Sequence, residues 1–126
     1  MNERHHEDLV KGIAKEQNEL LEKSEQGIFI YLDDTHKVCN EKFAAMLGYS
    51  SAKEWAETDA PLADIAEEDQ PAVIAAYENA MKKLVASSLA VSVRNVKTKR
   101  SIKMQLVLVP IAYAGHLFAI EFFNKV

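Results

Sequence analysis

The residues in this sequence able to do chemistry are few and scattered. Cys39 is the one thiol, and His5, His6, His36 and His116 are the four imidazoles. His5, His6 and Glu7 are neighbours, but adjacent helix residues point about 100° apart, so the run predicts no shared metal ion. Neither the histidines nor Cys39 show the paired spacing of a zinc site. A hydrolase needs a nucleophile, a base and an orienting group, and the serines here sit on no nucleophile elbow. Gly12, Gly27, Gly48 and Gly115 are the only glycines, too dispersed to cradle a phosphate. Glu67, Glu68 and Asp69 read as the acidic start of a helix, favoured by the positive end of its dipole, rather than as an acid–base pair. No catalytic residue and no metal ligand is predicted.

What remains is an aromatic and methionine set: Tyr31, Phe43, Met46, Trp55, Tyr77, Met81 and Met104, with Phe29 beside them. These side chains either fill a core or line a small-molecule cavity. A chain of 126 residues has little spare volume for the second use. If a ligand is held, Tyr31, Tyr77 and Trp55 are the polar handles, because a buried hydroxyl or indole N–H needs a partner.

The whole chain sets bounds on these readings. Its length suits one domain. With 48% apolar and 27% charged residues, the composition is that of an ordinary globular protein. The formal charge of −4 argues against nucleic-acid binding, which needs a basic surface. The basic group Lys97, Lys99, Arg100 and Lys103 reads as a solvated hairpin tip. One cysteine allows no internal disulfide and suggests a reducing compartment, the cytoplasm. The charged N-terminus predicts no signal peptide. The longest apolar stretch, Leu106 to Ala114, contains Pro110 and is about half a membrane span, so no membrane contact is expected.

The elements that must position the candidates follow from periodicity. Glu7 to Lys23 predicts an amphipathic helix whose seam is Val10, Ile13, Gln17 and Leu20, widened by Leu9 and Leu21. Residues 1–24 are assigned to this N-terminal segment and 25–126 to the domain proper. Ile28 to Leu32 and Lys37 to Cys39 predict a hairpin turning at Asp33, Asp34, Thr35 and His36. Asn40 suits an N-cap for a short helix through Phe43 and Leu47 that stops at Gly48. Another short helix carries Trp55, and Pro61 breaks the connector after it. A longer helix starts near Asp69, with Pro71 in its first turn and Val73, Tyr77, Ala80, Met81 and Leu84 on one face. Three alternating runs close the chain. In these, Leu89, Val91 and Val93, then Ile102, Met104, Leu106 and Leu108, then Phe118, Ile120 and Phe122 are read as the core face. The opposite face carries Val107, Val109, Ala119 and Phe123, too apolar for a solvated surface. The N-terminal helix is the free element able to cover it, in its own subunit or a partner's. Val10, Ile13, Leu20, Val107, Val109 and Phe123 are therefore the expected interface of a homodimer.

The run "GIFIYLDDTHKVCNEKFAAMLGYSSAKEW" resembles the opening of a PAS domain. "DIAEEDQPAVIAAYENAMKK" is similar to that family's central helix, and "VSVRNVKTKRSIKMQLVLVPIAYAGHLFAIEFF" to its closing meander. The resemblance covers about residues 25 to 124 and rests on the order of elements rather than one motif. It implies an α+β fold: a five-stranded antiparallel sheet of order 2-1-5-4-3, short helices on one face and a pocket between. Two departures stand out. Lys97-Thr98-Lys99-Arg100 replaces the usual Asp-Gly turn, and Glu121-Phe122-Phe123-Asn124-Lys125 replaces the family's Asp-Ile-Thr signature.

The resemblance implies a sensory signal-transduction module that binds a small ligand or partner and signals through dimer contacts, without catalysis. A histidine kinase or other effector, in cis or in trans, is the implied partner. The ligand is left unknown. Light-sensing members place a cysteine in an Asn-Cys-Arg-Phe run, which Cys-Asn-Glu-Lys does not match, so flavin is not expected. Haem-binding members place a histidine on the central helix, where this sequence has none. Two other readings stand beside this one: a ligand-free dimerisation scaffold, and a small cone-shaped α+β enzyme, which the apolar inward meander positions disfavour.

Overall fold

The computed structural model describes residues 3–126, so the first two residues of the expected N-terminal segment lie outside the described residues. The elements run α1 (Glu3–Glu16), α2 (Asn18–Lys23), β1 (Gly27–Asp33), β2 (His36–Cys39), α3 (Glu41–Met46), α4 (Ala52–Ala56), α5 (Gln70–Lys83), β3 (Ser87–Arg94), β4 (Ser101–Tyr113) and β5 (His116–Lys125). Two single 3-10 turns, Pro61–Asp64 and Glu67–Asp69, fill the connector before α5. The strands form one sheet of order β2-β1-β5-β4-β3, every pair antiparallel. The first and last strands meet at its centre, with Ile30 opposite Ile120. The architecture is the one the resemblance implies.

Local chemistry explains the joints. Asn40 is buried and bonds three ways. Its Oδ1 accepts from the N–H of Phe43 at 2.9 Å and of Ile28 at 3.0 Å, and its Nδ2 donates to the Gln26 carbonyl at 3.0 Å. One side chain thus caps α3 and ties it to β1. After α3 the chain turns at Gly48, at φ 85°, a conformation disfavoured for a residue with a Cβ. The β3–β4 turn closes on Asn95, whose Oδ1 accepts from the N–H of Lys97 and Thr98, both at 2.9 Å.

Several expectations are corrected. The N-terminal helix begins at Glu3, earlier than its apolar pattern, and breaks at Gln17, where ψ swings to 14°. Leu9, Val10 and Ile13 are buried, but beyond the break Leu20 is 37% exposed, so the seam does not continue as a straight stripe. Asp69 occupies the N-cap position of α5 but makes no side-chain capping bond there; its Oδ2 accepts instead from Ser92 N–H at 2.8 Å on β3. Leu84 is not on the packed face: it closes α5 at φ 57° and is 66% exposed. β3 begins at Ser87, two residues before Leu89, where its alternation starts.

The largest correction concerns β5. Phe118 and Ile120 pack with α1 residues Leu9, Val10 and Ile13, with Phe122 against them, whereas Ala119 and Phe123 face the short helices. Register fixes this phase: Leu108 pairs with Glu121 and Val109 with Ile120, so cross-strand partners share a face. Phe123 therefore belongs to the inner core, stacked 5.7 Å from Phe29, and not to the outer surface. Val109 does lie on the outer side, with Ile28, Ile30 and Val38, and Val107 is half-buried. The helix covering that side is the chain's own α1. It runs close enough to the β4–β5 hairpin that a Cβ on Gly12 would fall on the Tyr113 hydroxyl.

Candidate functional site

Between the inner sheet face, α5 and the Ala60–Ile65 connector lies a cavity of about 240 Å³. That exceeds the ~150 Å³ engineered cavity known to admit benzene. β1 supplies Phe29 and Tyr31, β5 supplies Glu121 and Phe123, and α5 supplies Val73, Ile74 and Tyr77. Strand alternation puts Phe29 and Tyr31 on the same side, and the paired phase of β5 brings Glu121 and Phe123 beside them. Gln70 holds the connector in place, donating from Nε2 to the Leu62 carbonyl at 3.1 Å and the Ile65 carbonyl at 3.0 Å.

The walls are aromatic and acidic. Tyr31 and Tyr77 meet edge to face, 5.4 Å between centroids. The Tyr31 hydroxyl donates to Asp34 Oδ1 at 2.6 Å, and the Tyr49 hydroxyl, just outside the cavity, donates to Asp64 Oδ2 at 2.5 Å. Burial raises the pKa of Tyr31, Tyr49 and Tyr77. It also raises that of Asp64 against the Tyr49 bond, which works to lower it. Glu121 is the extreme case. It is only 5% exposed, and loss of solvent alone pushes its carboxyl up to about 8. The cavity lining includes three carboxyls (Asp34, Asp64 and Glu121) and no lysine, arginine or histidine among the described residues. Lys37, which is not in the lining, is buried under α4 and donates to the carbonyls of Asp34 at 2.5 Å, Thr58 at 2.7 Å and Ala56 at 3.2 Å. Its Nζ also sits 5.3 Å from the Trp55 ring centre.

Of the residues expected to line a pocket, Tyr31, Phe43 and Tyr77 are on the wall. Met46, Trp55, Met81 and Met104 are not. Trp55 and Met104 are fully buried in the core around Phe29 and Phe43, Met46 packs against that core, and Met81, on α5, packs against the cluster of Ala76, Ala80, Leu108 and Ala119. The Trp55 indole N–H, which finds no acceptor among the described residues, lies off the cavity wall. Cys39 is off the wall too, its thiol pushed up to about 12 by burial. Sequence reasoning missed Glu121, Asp34 and Asp64. The available signal was Glu121 itself, one acid within the apolar run Phe118 to Phe123.

A second cluster lies at the C-terminal end of β1, across the sheet from the cavity. Asp33, next to a register shift between Tyr31 and Asp33, accepts from His36 Nδ1 at 2.7 Å. Its other oxygen lies 3.2 Å from His6 Nδ1 on α1. His36, placed in the turn by its sequence, is 7% exposed. His116 lies 3.3 Å from His5, Nε2 to Nε2. Burial would raise the Asp33 carboxyl, but the bonds from His36 and from the hydroxyl and N–H of Thr35 together hold it below the usual carboxylate range.

No family model and no curated protein matches the sequence. Solved structures do match. A PAS domain from a two-component sensor histidine kinase superposes with a TM-score of 0.67 at 16% identity, over 92% of this chain and 98% of that one. The PAS domain of a protein from Colwellia psychrerythraea gives 0.69 at 14% identity, over 90% and 97%. That of a Desulfitobacterium hafniense protein gives 0.65 at 20% identity, over 86% and 99%. With the same strand order, the same helices on one face and a cavity between them, the chain has the fold of PAS domains.

Proposed function

We propose that the chain is a non-catalytic sensory module that binds a small organic amine in the cavity and reports occupancy through α1 and α2. The observation that carries the ligand class is Glu121: a buried carboxyl with no counter-charge, aimed into an aromatic-walled cavity whose other charged groups are also acids. An isolated buried carboxylate is costly, and a ligand ammonium relieves that cost while its apolar body rests on Phe29, Tyr31 and Tyr77. Binding ionises Glu121 and releases its proton.

The route outward is short. Phe29 and Tyr31 face the cavity, while Ile28 and Ile30, their neighbours on β1, lie under α1. On β5, Glu121 faces the cavity and Ile120 faces α1. A ligand that favours one setting of these two strands shifts α1 docking only by its preference between states. The solved neighbours include domains of sensor histidine kinases, which makes a kinase or another effector the natural recipient. The partially exposed Leu20 on α2, with Val107 and Val109, is the surface offered to a second copy. With a single, buried, free thiol the module suits the cytoplasm. Among the described residues, no helix is long and apolar enough to cross a membrane.

NMR titration with 2-phenylethylamine, 2-phenylethanol and phenylacetate tests the class. Saturable shifts at Tyr31 and Tyr77 with the amine, weaker ones with the alcohol and none with the acid are expected. Binding of the acid in preference to the amine overturns the charge argument. If none of the three binds and native mass spectrometry of freshly purified protein shows only bare chains, the ligand-free scaffold reading replaces this one.

A further inference from the structure

We propose that His6, Asp33 and His36 bind a divalent first-row transition ion, Zn²⁺ in the first instance, and that the ion clamps the first turn of α1 to the β1–β2 turn. One ligand atom from each residue lies within 4.8 Å of the others. The two histidine–aspartate separations, 3.2 Å to Oδ2 and 2.7 Å to Oδ1, both fall below the roughly 3.3 Å between neighbouring ligands of a tetrahedral zinc, so the ligand atoms spread slightly as the ion enters. Two imidazoles and a carboxylate are a donor set of the right kind for zinc and its neighbours. When the metal enters, each ring carries its proton on Nε2 and turns the Nδ1 lone pair to the ion. Water fills the open position, since the side chains of His6 and Asp33 are 27% and 39% exposed.

The supporting shell is already present. Thr35 N–H and Thr35 Oγ1 both donate to Asp33 Oδ1 at 3.1 Å, fixing the carboxylate from the side away from His6. Such outer bonds orient a metal ligand before the ion arrives. The His6 and His36 rings stand nearly perpendicular, 5.2 Å apart, and need only side-chain rotation to converge. His6 comes from α1 and the other two from the sheet, so the ion adds a cross-link absent from the sequence-local structure. The inference does not depend on the cavity.

Co²⁺ titration followed by visible absorption, with Zn²⁺ competition by calorimetry, tests it on the full chain. One equivalent should bind with tetrahedral Co²⁺ bands. His6→Gln, at an exposed helix turn, should keep the fold by circular dichroism and weaken Zn²⁺ binding at least tenfold, and Asp33→Asn should do the same. His116→Gln should bind as the parent does. Amide exchange across residues 5–13 should slow with Zn²⁺ in the parent and not in His6→Gln. No binding at micromolar Zn²⁺, loss in His116→Gln instead of His6→Gln, or binding that leaves α1 exchange unchanged would each overturn the proposal.

Discussion

At the scale of single residues, Glu121 and Asn40 show opposite ways of burying a polar group. The Glu121 pKa in the folded chain, about 8, lies above its ordinary 4.5. Between those values the folded chain holds a proton that the unfolded chain has lost. Stability therefore falls as pH rises through that window, and the whole cost is present above it. Glu121→Gln, neutral and of similar shape, should gain about 1–3 kcal/mol over the parent at pH 8.5 and almost nothing at pH 4.5. Urea unfolding at the two pH values reads this, and an equal difference at both would refute the buried, unpartnered carboxyl. Asn40 is buried but satisfied, with three bonds between 2.9 and 3.0 Å. Asn40→Ala strands two backbone N–H groups and a carbonyl, and should cost about 2–3 kcal/mol in the same assay. Its capping role was legible because Asn before an apolar helical pattern has a local meaning. Glu121 was not legible, since nothing local tells a solvated acid from a buried one.

Elements were legible where one apolar pattern ran uninterrupted, as in β1, β4 and α5, whereas the order of the strands followed only from the resemblance to PAS domains. The phase of β5 was not, because both of its faces are apolar. Phe118, Ile120 and Phe122 look like a core face, and so do Ala119 and Phe123. Only pairing with β4, which sets Leu108 against Glu121, decides between them. The pattern of α1 foretold a covered outer sheet but not the break at Gln17. Covering the sheet is also what α1 contributes energetically. Ile13 is fully buried there. Ile13→Ala should cost about 2–4 kcal/mol by cavity formation. The loss should be local: amides of α1 should exchange faster while those of β1, β4 and β5 keep their protection. Uniform acceleration across the sheet would show that α1 and the sheet unfold as one unit rather than as a docked helix on a separate core.

In the molecule as a whole, the two central strands form a partition with chemistry on both sides. Inward lies the acidic, aromatic cavity; outward lies α1, whose first turn meets Asp33 and His36. Tyr31 lines the cavity two residues from Asp33, and Tyr31 bonds to Asp34, which joins the two sites through one turn. If the cavity ligand and the metal both bias the docking of α1, they must bias each other. Linkage makes the factor reciprocal: whatever Zn²⁺ does to the affinity for 2-phenylethylamine, the amine does to the affinity for Zn²⁺. A coupling of about 1 kcal/mol corresponds to roughly a fivefold change in each. The sign follows from whether the occupied cavity favours docked or released α1. Ile13→Ala supplies the control, because a helix already released has no docking left to share and the coupling should vanish. Calorimetric titrations of the amine with and without saturating Zn²⁺, in parent and variant, measure it. Amine affinities that are unmoved by Zn²⁺ in the parent would mean the sheet insulates the two sites, and α1 would not be the output of the cavity.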